Sequence, residues 1–120
     1  MKFISLLLLA APLHAVEIRC PERWAPEGWG AQGSAPGGRV RDAGVIVGPL
    51  ENRGDLRGAE KKTEAGYEVR FAGLNDYAEP LTKWAYCSYG LNARLLRKLP
   101  DATTECVAKV RRASAAVACK

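Results

Sequence analysis

The residues of this 120-residue chain best equipped for chemistry are four cysteines and one histidine. The histidine, His14, falls in a segment that reads as an export signal and would leave with it. A mature chain without imidazole has no histidine general base, no Ser-His-Asp triad and no histidine metal ligand. Cys20, Cys87, Cys106 and Cys119 include no C-x-x-C pair. Four scattered thiolates make a poor zinc site, and no base sits beside a thiol to activate it. Asp42, Asp55, Asp76, Asp101 and the glutamates are dispersed, and no spacing selects the carboxylate pair that a glycosidase sets across a cleft. Ser34, Ser88 and Ser114 have no histidine to activate them. The glycine-rich stretch carries neither G-x-x-x-x-G-K-[ST] nor G-x-G-x-x-G, so it does not read as a phosphate cradle. By subtraction the chain reads as a binder, not an enzyme, with no cofactor and no metal.

The N-terminus supplies the compartment. Met1-Lys2 is a short positive start, Phe3 to Ala11 is an apolar run, Pro12 breaks it, and Ala15 offers a small residue for cleavage. This is the pattern of a secretory signal peptide over residues 1–15. The run is too short for the roughly 20 apolar residues that a membrane span needs. Removing it takes away Lys2, so 17 basic residues face 13 acidic ones and the net charge of +5 becomes +4. Arg39, Arg41, Arg70, Arg94, Arg97, Lys98, Arg111 and Arg112 are spread along the chain. That excess favours an acidic partner surface but defines no patch. Export to the periplasm disfavours nucleic acid as a partner. Residues 16–120 are then one exported domain with no membrane insertion.

Four cysteines in an oxidising compartment read as two disulfides with three possible pairings. One is favoured by spacing. Val107 to Val110 and Ala115 to Ala118 flank Arg111-Arg112-Ala113-Ser114. A hairpin with that four-residue loop sets Val110 opposite Ala115 and Cys106 opposite Cys119. Cys20 and Cys87 remain, tying the first strand to a central one. The alternative is Cys20–Cys119 with Cys87–Cys106.

The elements that position these cysteines read as short strands. Val16 to Cys20 alternates apolar and polar, and Pro21 ends it. Residues 22–38 form a long Gly/Pro loop, in which Trp24 and Trp29 are either anchors or an exposed contact surface. Val45-Ile46-Val47 is a buried strand, Asn52 to Asp55 a turn, and Leu56 to Thr63 a solvated edge strand at best. Tyr67, Val69 and Phe71 share one face of a one-sided strand. Thr82 to Tyr89 carries aromatics on both faces, as a central strand does, and Gly90-Leu91-Asn92 turns into Ala93 to Leu99. No strong helix appears. The expectation is an all-β antiparallel meander, sandwich or partly open barrel of six to seven strands, stapled by two disulfides.

One set of residues resembles the pattern of a known family. The set is Cys20-Pro21 closing a first strand, a Val-rich strand ending in Gly48-Pro49, Trp84-Ala85-Tyr86-Cys87-Ser88-Tyr89-Gly90, Leu96-Arg97-Lys98-Leu99-Pro100, Cys106 and a last cysteine. In these the chain resembles a small family of secreted proteins of Gram-negative bacteria that occur beside type VI secretion genes. Some of them look like immunity proteins against periplasmic, peptidoglycan-targeting effectors such as L,D-transpeptidase-like toxins. The resemblance implies a periplasmic protein that blocks a toxin's active cleft with a surface loop or edge strand. Trp24, Trp29, Asp76, Tyr77 and Glu79 would be the contacts. Other readings are an inhibitor of host lysozyme, which a positively charged protein suits poorly because such lysozymes are basic, a carboxylate-only cell-wall enzyme and a structural envelope protein.

Overall fold

A computed structural model of the chain describes residues 16–24, 26–33, 38–48, 54–77, 81–90 and 92–120. The proposed export signal, Ser34, Asn52, Arg53, Glu79 and Leu91 lie outside the described residues. Ten strands follow in order: β1 (Val16–Arg19), β2 (Gly30–Gly33), β3 (Asp42–Val47), β4 (Gly54–Asp55), β5 (Ala59–Thr63), β6 (Gly66–Phe71), β7 (Lys83–Gly90), β8 (Ala93–Lys98), β9 (Cys106–Arg111) and β10 (Ala115–Cys119). The only helical element among the described residues is a single 3-10 turn, Leu74–Asp76.

The strands form two antiparallel five-stranded sheets that are not closed into a barrel. One has the order β1-β10-β9-β6-β5 and the other β2-β8-β7-β3-β4. Alternation explains the layers. Ala85, Cys87 and Tyr89 point into the core from β7, meeting Ala43 and Val45 of β3 and Leu95 of β8. Ile18, Ala108, Val110, Val117 and Phe71 face them from the other sheet. β7 is the central strand of its sheet, as its two-sided aromatic pattern requires.

The β9–β10 hairpin has the register that its loop dictates, with Val110 opposite Ala115 and Cys106 opposite Cys119. Cys106 and Cys119 form one disulfide. Cys20–Cys87 is the other, running from the end of β1 to the middle of β7 and so joining the two sheets. Two disulfides place the protein in a non-reducing compartment. No helix among the described residues is long and apolar enough to cross a membrane.

Two expectations need correction. The stretch from 22 to 38 is not one irregular loop, because Gly30–Gly33 pairs with Leu96 to Ala93 of β8 as β2. Nor is 54–55 part of a turn, since Gly54 and Asp55 pair with Val47 and Ile46. These two short strands, recruited by their neighbours and not by their own propensity, bring the count among the described residues to ten, above the expected six or seven. The charged stretch 59–63 is indeed an edge strand, and its lysines guard that edge against further pairing.

Lys83 is unexpected in this core. It lies on the inward side of β7 and is only 2% exposed. Its Nζ donates to the backbone carbonyls of Asp101 (2.8 Å) and Thr103 (2.9 Å), pinning the β8–β9 connection across the sandwich end. Lys83→Met keeps the stem but leaves both carbonyls without this donor. It is expected to lower the unfolding free energy by about 2 kcal/mol. Urea denaturation checks this, and an unchanged midpoint would show that water replaces the ammonium.

Candidate functional site

The site forms where the ends of β1, β3, β6 and β9 meet. Val40 is buried, so the segment before β3 points Arg39 and Arg41 outward on either side of it. Arg41 N–H donates to the Ser88 carbonyl (2.7 Å), which fixes this segment against β7. Arg111 ends β9, and its N–H donates to the Ser114 carbonyl (2.8 Å), closing the tight loop that exposes Arg112.

On the outer face of the first sheet, Arg19, Ala116 and Lys109 lie in one cross-strand row. Two strand spacings separate the two cations, about 10 Å, and the small Ala116 leaves a notch between them. The resulting groove has a volume of about 680 Å³, with Arg19, Arg39, Lys109, Arg111, Glu17 and Glu22 on its walls. Pro21, Val40, Ala115 and Ala116 contribute an uncharged lining. A second hollow of about 460 Å³ shares Arg39, Val40 and Arg111 with it and adds Arg41 and Arg112. Gly66, also in this hollow, pairs with Arg111. A Cβ at Gly66 would stand 1.9 Å from the Val110 carbonyl oxygen, so only glycine lets the strands close here.

Arg19, Arg39, Arg41, Lys109, Arg111 and Arg112 are all exposed, and none of them is in an ion pair among the described residues. The sequence spreads these cations over almost a hundred positions and does not show them as a patch. The fold gathers them, because β3 packs across the sandwich from β9 and β10. The clue that was present is Arg-Val-Arg at 39–41, two cations flanking one core residue.

Beside the hollow, Asp42 joins the sheets. It accepts hydrogen bonds from Tyr67 Oη of β6 (2.8 Å) and Tyr86 Oη of β7 (3.4 Å). Burial, and then the hydrogen bond to Asp42, pushes the Tyr67 phenol well above the usual tyrosine range. Tyr86 fits because its neighbour on β3 is Gly44, where a Cβ would fall 2.8 Å from the Tyr86 hydroxyl oxygen. The Arg94 guanidinium lies 4.2 Å from the centre of the Tyr86 ring.

The residues expected as partner contacts are not brought together. Trp24 is half-buried and meets Tyr89 edge-on at 5.7 Å between ring centres. Trp29 is half-buried under the Arg97 guanidinium, 5.6 Å away. Both pack against the core as loop anchors. Asp76 ends the 3-10 turn and Tyr77 follows as its C-cap; the turn's Leu74 N–H donates to the Thr104 carbonyl near the Lys83 end of β7. Trp24 sits at the Tyr89 end, some six residues and about 20 Å along the strand. Asp76 is exposed there, and Tyr77 is half-buried against the core.

Tyr89 Oη also donates to the Pro21 carbonyl, and burial pushes its pKa up to about 12. The folded protein therefore keeps this phenol neutral to a higher pH than the unfolded chain, where tyrosine ionises near 10. The stability it contributes is complete below about pH 10 and is lost as pH rises from there through about 12. The urea midpoint of Tyr89→Phe is expected to fall less steeply than that of the native protein above about pH 10. Parallel profiles would contradict this.

No family model matches the chain, and neither a curated protein nor a solved structure matches it. Among the described residues no group of three or more His, Cys, Asp or Glu gathers as a metal site. What the gathered residues can do is hold anionic groups. Guanidinium planes offer paired donors to carboxylates, and Lys109 adds a point charge.

Proposed function

We propose that the protein is a periplasmic immunity protein, exported by its first 15 residues, that neutralises a cell-wall-targeting effector of type VI secretion by covering the effector's active site. The observation that carries a binding role is the open groove walled by exposed cations that have no ion-pair partner among the described residues. Cys20 lines this groove, and its disulfide to Cys87 holds the groove's base to the second sheet. A rigid scaffold of this kind lowers the ordering cost of binding a protein partner. The same cations weigh against a basic lysozyme as target, since like charges at an interface repel. The immunity reading itself rests on the chain's resemblance to the type VI-associated family.

Co-expression tests it. A periplasm-directed effector encoded beside this chain is expected to kill cells alone and to spare them when the protein is exported with it. Failure to rescue against every neighbouring effector would overturn the proposal.

A further inference from the structure

We infer that the groove takes an extended acidic stretch of a partner polypeptide, with carboxylates on alternate residues gripped by Arg19, Lys109, Arg39 and Arg111. This deepens the binding role proposed above and rests on it. Among the described residues the cations face solvent without ion-pair partners. Side chains on alternate residues of an extended chain lie about 7 Å apart on one face, so a row of them can meet successive cations around the notch. The uncharged lining from Pro21 to Ala116 suits backbone and small side chains between the charges.

The walls also explain why the occupant is a polypeptide and not a polyphosphate. Glu17 and Glu22 interrupt the cations. A nucleic-acid strand carries a charge at about every 3.4 Å and would set phosphates against both glutamates. A polypeptide can place neutral or basic residues there.

The test uses the oxidised protein and a fluorescent ten-residue peptide alternating glutamate and alanine, with binding followed by anisotropy. Binding is expected in low salt and should weaken at about 200 mM salt, where screening shortens the reach of exposed charges to below 10 Å. Arg39→Glu with Arg111→Glu is expected to weaken it by about tenfold or more. Lys98→Glu with Lys120→Glu changes the net charge equally, at the Lys83 end of the sandwich away from the groove, and is expected to leave most of the binding. Circular dichroism confirms that both variants fold. Equal losses in the two variants, or no loss in either, would overturn the inference. Tighter binding of a single-stranded oligonucleotide than of the peptide would overturn it as well.

Rescue separates this inference from the reading beneath it. If the Arg39/Arg111 variant protects cells as well as the native protein does, the groove assignment fails and the immunity role stands. If peptide binding follows the groove charges but no effector is neutralised, the immunity role fails and the groove assignment stands.

Discussion

Replacing Cys20 and Cys87 together by alanine is expected to lower the unfolding free energy by about 4 kcal/mol. The bridge closes a loop across a sequence separation of 67, so its removal frees much of the unfolded chain. The Cys106–Cys119 bridge spans only 13 and should contribute about 3 kcal/mol by the same reasoning. A domain of this size is stable by roughly 5–15 kcal/mol, so either loss is severe. Position adds to the difference. Cys106 and Cys119 already face each other in a hydrogen-bonded hairpin, whereas Cys20–Cys87 ties sheet to sheet. Urea denaturation of the two double variants checks the order. A Cys106/Cys119 variant less stable than the Cys20/Cys87 variant would show that loop closure does not govern these staples.

Leu95→Ala is expected to cost about 3 kcal/mol, because the removed atoms leave a cavity that the sandwich only partly closes. Leu95 is fully buried on β8, and its cross-strand partner is Cys87. Its effect should therefore not add simply to that of removing the sheet-to-sheet disulfide. Neighbours that share a packing site couple. A double-mutant cycle of Leu95→Ala with the Cys20/Cys87 variant reads the coupling. A cost below about 1 kcal/mol for Leu95→Ala alone would mean that the core repacks freely around this position.

Much of the framework was legible because it is local. The four-residue loop at 111–114 fixes the register of β9 against β10, and that register fixes one disulfide and leaves the other. Period-two alternation was enough to place Tyr67, Val69 and Phe71 on one face and to mark β7 as central. β2 was not legible, since Gly-Ala-Gln-Gly has no strand propensity and becomes a strand only by pairing with β8. The cationic groove was not legible either. Its residues come from β1, the segment before β3, β9 and the loop after it, and strand pairing within one sheet together with the packing of the two sheets makes them neighbours. Charge counting registered the excess but not its place. The aromatic residues attracted notice in sequence because tryptophans in a Gly/Pro loop are conspicuous, yet their packing makes Trp24 and Trp29 anchors of that loop.

The fold thus separates two roles that the sequence leaves mixed. Aromatic residues pin the connections, and exposed cations gather at one end, where the proposed partner would bind. The central claim is that the protein acts by binding and blocking. It is tested most directly with purified components, by following peptidoglycan cleavage by an effector against which the protein rescues cells, as the oxidised protein is added. Cleavage is expected to fall in proportion to added protein and to stop at one equivalent. Undiminished cleavage in the presence of excess folded protein would contradict the account.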